Sequence, residues 1–486
     1  VGQLFADPGE EFDTGQLLRA GTNLGTDSEN VSFYLGDQVG WYYLLVAGHN
    51  GANRANSPYT LKISTTFSQT NSHNYVIPEF PPLSSVFTNT TLIVTNRSRL
   101  LDSYGEAKTE LVMDKIADLA SAPEVNGAIV DLADYPIVQS QYLSWTQSIT
   151  SVYKANLTAA TIKSLLSAIR TSYPELQYVV IVGNDEIVPH WRVLDEAPVA
   201  NERDYESFTI ATSAIGAASE QGYFLTDDFY ADYNPLTWRG RELYLPRYSI
   251  GRLVEGPDEI SAMIDAYLDN PTLVVTSALV TGYDFLIDLA EGIKNELGPV
   301  PLVKSLINNY WSAQDLRTTW FSDTHNFGAI NAHFTHWDAI PADFNQNDHF
   351  KPSDIQEGLD NSQGSFVYSV GCHAGLSMPD NQSQSGYELD FCQALASKGV
   401  TYIANTGYGY GDIEGIGYSE LLSLLFLRNL KTDLSIGEAL SKAKIDYYRG
   451  SAAHSFSPYD EKVLSEATLY GLPMYRVELP ARFNQL

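Results

Sequence analysis

The chain has 486 residues, 44% of them hydrophobic and 18% charged, so it can bury more than one core and is expected to form two or three domains. Its 59 Asp+Glu against 29 Lys+Arg, a formal charge of -30, argue against nucleic acid as a partner and for solubility. No apolar run approaches the roughly 20 residues that span a bilayer, and the two cysteines, Cys372 and Cys392, supply neither a disulfide framework nor a Cys/His cluster with zinc spacing.

Residues 1–66 read as β: WYYLLVAG, a polar turn HNGANRANS, then PYTLKIS with apolar and polar positions alternating, together a small β-sandwich module. Residues 67–88, rich in Ser, Asn, Thr and Pro, read as a linker. From residue 89 onward short β-branched runs alternate with helical patterns: TLIVTN, the helix GEAKTELVMDKIADLASA, GAIVDL, the helix TAATIKSLLSAIRTSY, and YVVIVGND. That order predicts parallel strands joined by right-handed crossovers, an α/β sheet flanked by helices. A second series starts near 271 with TLVVTSALVTGY, then FLIDLAEGIKNELG, GAINAHFTH, SFVYSVGC, VTYIANTG and the helices YSELLSLLFLRNL and SIGEALSKAKIDYYRG. Residues 89–270 and 271–486 are therefore read as two α/β subdomains, the second carrying the chemistry, whose sheets stand side by side or run on as one.

In a parallel sheet, chemistry sits at the carboxyl ends of the strands. FVYSVG delivers Cys372 to such an end, and GAINAHFT delivers His336 to its own end 36 residues earlier, room for one crossover. On neighbouring strands the two would make a nucleophile and its base: the thiolate attacks, and the imidazole carries the proton to the leaving amine and then activates water. His333, three residues before, falls on the opposite face of a continuous strand and is the alternative base. Gly371 and Gly375 permit close approach of a substrate, and the amide of Cys372 is a candidate oxyanion donor. His373 is read as shaping the pocket, and Cys392, on the apolar face of DFCQALAS, as packing. The loop ANTGYGYGDIEGIGYSE lacks the lysine of a nucleotide-binding loop and is read as a wall of the cleft.

These residues carry a resemblance. The succession TLIVTNRSRLLDSYG, VNGAIVDL, YVVIVGNDEIVP, TDDFYADY, YSIGRLVEGPDEI and YGLPMYRVELP resembles, in order, the landmarks of the gingipain-like cysteine peptidases, relatives of caspases, legumains, metacaspases and separases. GCHAG is similar to the metacaspase cysteine loop, and YYLLVAGHNG…SPYTLKI resembles the end of a pre-peptidase C-terminal domain. The resemblance implies a caspase-like α/β fold, catalysis by Cys372 with His336, and no cofactor for the chemistry. Trp337 departs from the glycine that follows the family's histidine. It further implies a specificity aspartate at Asp227, with Asp228 adjacent, selecting Arg or Lys in a protein or peptide substrate, and structural calcium at Asp227, Asp228 and Asp232 or at Asp412 and Glu414. Asp185 and Glu186, which also follow a strand, are candidates to orient the imidazole. The expected protein is secreted or held at the cell surface, its signal peptide absent from this chain, with other segments of its own precursor among its expected substrates; a catalytically silent peptidase-fold scaffold or a surface or adhesion component is the alternative.

Overall fold

In the computed structural model the described residues are the strands 2–6, 17–21 and 42–46, and residues 75–480 apart from 324, 344–346, 385, 414 and 453–455. The three N-terminal strands form an antiparallel sheet with Gly2–Ala6 in the middle; PYTLKIS, within the module expected over 1–66, lies outside the described residues.

The β-branched runs become strands because their side chains are buried on both faces. TLIVT (Thr91–Thr95), SIGRL (Ser249–Leu253), SALVTG (Ser277–Gly282) and TYIAN (Thr401–Asn405) are buried along their whole length, as parallel strands between two helical layers require. Period-two alternation divides them between the layers. Phe366, Tyr368, Ile403 and Val280 enter one apolar cluster, and Val367, Tyr402, Ala404 and Leu279 enter the other.

Both strand series join in one sheet of ten strands. From one edge the order is Leu302–Ile307, Ser277–Gly282, Phe327–Ala329, Phe366–Tyr368, Thr401–Asn405, Ala467–Tyr470, Ser249–Leu253, Tyr178–Val182, Thr91–Thr95 and Gly127–Asp131. Every neighbouring pair is parallel except Thr401–Asn405 with Ala467–Tyr470. The direction therefore reverses at that one junction, and the carboxyl ends of the two parallel sets open on opposite edges of the sheet. The fold is the expected mixed α/β architecture with a mostly parallel sheet.

One local expectation changes. GAINAHFT does not run as a single strand: Phe327–Ala329 pairs with Phe366–Tyr368 in the sheet, and the chain then leaves it to make a hairpin of His333–Thr335 with Asp338–Ile340. His333 opens that hairpin and His336 sits in its turn. A sheet strand of three residues leaves the alternation pattern of the sequence intact while the chain changes partner.

Candidate active site

The strand Phe366–Tyr368 runs into Cys372, which is partly exposed, with its Sγ 3.6 Å from the carbonyl oxygen of Gly409. Burial pushes the thiol up to about 11; the hydrogen bond to Gly409 opposes this and the nearby carboxylates of Glu466 and Glu202 add to it. The loop is packed too tightly for side chains at its glycines: a Cβ on Gly371 would lie 2.3 Å from the Phe334 ring, and one on Gly375 2.6 Å from the carbonyl oxygen of Ala404. Its amides are mostly spent within the protein. Gly371 N–H donates to Ser369 Oγ (3.2 Å), His373 N–H to the Gly407 carbonyl (2.6 Å), and Gly375 N–H to the Asn405 carbonyl (2.8 Å). Among the described residues the Cys372 amide has no such acceptor, so its N–H is left to donate elsewhere.

His373 turns the chain immediately after the cysteine with a φ of 54°. It is buried, its Nε2 is 2.9 Å from Glu202 Oε2, and its ring lies flat on Tyr205 at 3.4 Å between centroids. Glu202 also accepts from Lys462 Nζ (2.8 Å) and from the Tyr408 amide (3.1 Å). Burial works against the charged form of Glu202, but Lys462 and His373 hold the carboxyl down at about 2. This buried ionic group fixes the backbone that presents Cys372. Its members come from 202–205, 373 and 462–466, and no sequence spacing announced them; the one local hint is Lys462 and Glu466, four apart on a helix.

The two histidines differ sharply. His336 is fully buried; its amide donates to the Tyr205 oxygen (3.1 Å), and Tyr205 O–H lies 2.7 Å from its Nδ1. Burial, helped by the charge of His373, brings its pKa down to about 3, so the ring is neutral at any working pH. The side chain of His333 is 44% exposed, its backbone N–H donates to Tyr283 Oη (3.2 Å), and its ring stands edge-on to Tyr283 and Phe285. Its Nε2 lies 4.0 Å from Asp284 Oδ2. Neighbours of His333 touch the two loops that flank Cys372. Phe285 packs where a Cβ on Gly411 would stand, Gly409 accepts from Cys372, and Phe334, next to His333, covers Gly371. The phenol of Tyr283, pushed up to about 12 chiefly by burial, also feels a charge on Cys372.

The other predicted acids are placed elsewhere. Asp227 and Asp228 do not line an open specificity pocket: Arg252 bonds Asp227 through Nε (2.8 Å) and Nη2 (2.5 Å), and Lys444 Nζ is 2.7 Å from both oxygens of Asp228, all of them buried. A substrate guanidinium would have to displace a buried internal one. Asp185 and Glu186 do not orient either candidate base. Asp185 bonds Arg192 and the His190 amide, Glu186 accepts from Gln382 (2.7 Å), and both follow Tyr178–Val182 on the far edge of the sheet. Nor do Asp227, Asp228 and Asp232 fit a cation. Asp227 and Asp228 already hold Arg252 and Lys444, and Asp232 accepts from the amides of Asn234 and Leu245. Glu414, named with Asp412 as the other calcium pair, lies outside the described residues, and among the described residues no group of three or more His, Cys, Asp or Glu is arranged to hold a metal ion. Cys392 is buried behind the loop, its Sγ 3.9 Å from the Ala374 carbonyl.

Cys372, partly exposed, follows the strand Phe366–Tyr368, and the partly exposed His333 opens the hairpin that follows its parallel neighbour Phe327–Ala329, in a mostly parallel sheet flanked by helices, an arrangement of strands and helices seen in solved cysteine proteinases. The arginine-specific cysteine proteinase gingipain R (RgpB) has this fold: its crystal structure superposes with a TM-score of 0.50 at 13% identity, over 82% of this chain and 80% of that one. The complex of the pro- and mature domains of RgpB from Porphyromonas gingivalis gives 0.52 at 13% identity, over 80% of each chain. No protein-family profile and no curated protein matches the sequence. Among the described residues no helix is long and apolar enough to cross a membrane.

Proposed function

We propose that the protein is a cysteine endopeptidase in which Cys372 is the nucleophile and His333, oriented by Asp284, the base. The observation that supports this most is the contrast between the histidines of one hairpin. His333 reaches solvent beside the cysteine loop, whereas His336 is sealed behind Tyr205. A group that protonates a leaving amine and then activates water has to meet both. With its thiol near 11 at rest, Cys372 needs that base to yield a thiolate at neutral pH. The thiolate adds to the peptide carbonyl, the Cys372 amide takes the oxyanion, the amine leaves with the proton from His333, and water activated by the same ring releases the acid from the thioester.

Selectivity for Arg or Lys is not part of this reading, because Asp227 and Asp228 are satisfied by Arg252 and Lys444. A secreted or surface location and cleavage of the protein's own precursor accord with such an enzyme and belong to the proposal. The high resting pKa of Cys372 also favours a second reading, a silent scaffold. The two separate on one measurement: hydrolysis of a mixed fluorogenic peptide library, together with labelling by a peptidyl chloromethylketone, in the wild type and in Cys372→Ala. Turnover and labelling that vanish in the variant carry the peptidase; a wild type as silent as the variant carries the scaffold.

A further inference from the structure

A cavity of about 640 Å³, with no residue of the cysteine loop in its lining, opens between the helix Val152–Arg170, the strand Trp191–Leu194 and the hairpin Leu236–Trp238 with Arg241–Leu243. Its volume is in the range of small-molecule sites. The walls are aromatic. Trp191 and Phe229 stack at 4.1 Å, and Tyr244 stands edge-on to Phe229 at 5.1 Å.

The charges lining it are unequally satisfied. Arg239 bonds Glu196 (2.5 Å), Arg241 bonds Glu461 (2.9 Å), Arg192 bonds Asp185, and Glu242 accepts from Tyr244 O–H (2.6 Å). Lys163 is the exception. Its ammonium lies 4.1 Å from the centroid of Phe229, 4.4 Å from that of Tyr244 and 5.7 Å from that of Tyr233, and among the described residues it makes neither a hydrogen bond nor an ion pair. Ring faces hold a cation in place without using up its N–H donors. Glu242 and Asp232 act on it from outside its helix and Arg170 from within it; burial is the largest influence and brings the amine down to about 8.

We propose that this cavity is a binding site for a planar aromatic carboxylate, its ring against Trp191, Phe229 and Tyr244 and its carboxylate on Lys163. An anion is favoured because the lining carboxylates Glu196 and Glu242 already have donors, whereas the ammonium has three N–H groups to give. An aromatic body is favoured because Trp191, Phe229 and Tyr244 lie together in the wall, next to the ammonium.

The probe is 2-naphthoate, titrated calorimetrically into the full chain, with its methyl ester as the neutral control. The expected result is saturable one-to-one binding of the acid and none of the ester, weakened about tenfold or more in Lys163→Met and largely retained in Lys163→Arg. Affinity should hold below pH 8 and fall above it, as the amine loses its charge. Circular dichroism of each variant establishes that it is folded, and the pH series on the wild type needs no variant. Equal affinity for acid and ester, affinity indifferent to pH between 6 and 9.5, or no saturable binding because the chain itself fills the cavity, would each overturn the proposal.

Discussion

The two carboxyl edges of the one sheet are built from the same strand-and-helix units and are used in opposite ways. Around the ends of Tyr178–Val182 and Ser249–Leu253, every buried acid of the two predicted groups meets a cation of the chain itself: Asp185 meets Arg192, Asp227 meets Arg252, and Asp228 meets Lys444. Around the ends of Phe327–Ala329 and Phe366–Tyr368, Cys372 and His333 remain partly exposed. Buried pairs closed on themselves leave nothing for a ligand. The lesson is that a conspicuous acid after a strand says little until its partner is known.

The largest effect expected is on the open edge: Cys372→Ala should lower peptide hydrolysis by about 10⁴-fold or more, with the thermal midpoint nearly unchanged. Residual turnover within tenfold of wild type would move the chemistry off this edge. Next comes the closed edge. Arg252→Met strands the buried carboxylate of Asp227 and should cost about 3–5 kcal/mol in urea unfolding, part of it regained in Arg252→Met/Asp227→Asn. An unchanged stability paired with altered preference for basic substrates would instead make Asp227 a substrate group.

Within the hairpin, His333→Ala should reduce kcat about 10²- to 10⁴-fold. His336→Ala, which removes the Nδ1 acceptor of the buried Tyr205 O–H, should cost about 1–3 kcal/mol of stability and leave the activity of the folded fraction within a few-fold. The reverse result would make His336 the base. Because the thiol lies near 11, iodoacetamide labelling of Cys372 in His333→Ala should climb about tenfold per pH unit from 7 to 10, as the thiolate fraction does. In the wild type the rise should begin at lower pH. The smallest change is expected for Asp284→Asn: the pair with His333 is exposed and 4.0 Å apart, so kcat should fall only about two- to fivefold.

Much of the fold was legible because it rests on local periodicity. SFVYSVGC and VTYIANTG carry short β-branched and aromatic runs, and became neighbouring parallel strands; YSELLSLLFLRNL repeats every three to four residues, and became the helix Tyr418–Leu430. The hairpin at His333 was not legible, since an alternating stretch looks the same whether it stays in the sheet or leaves it. The family resemblance also drew attention to Asp227. Arg252, which occupies it, lies 25 residues away and reads only as one residue of a buried strand.

Read by itself, the chain determined the α/β class, the place of Cys372 at a strand end and the pair of histidines beside it, for these follow from side-chain periods of two and 3.6 and from chain connectivity. Only the tertiary structure decided which histidine meets solvent, which acids are spent on internal cations, and that the sheet reverses between Thr401–Asn405 and Ala467–Tyr470. The burial of His336 and the pairing of Asp228 depend on residues more than a hundred positions away, Tyr205 and Lys444, and the fold alone brings them together.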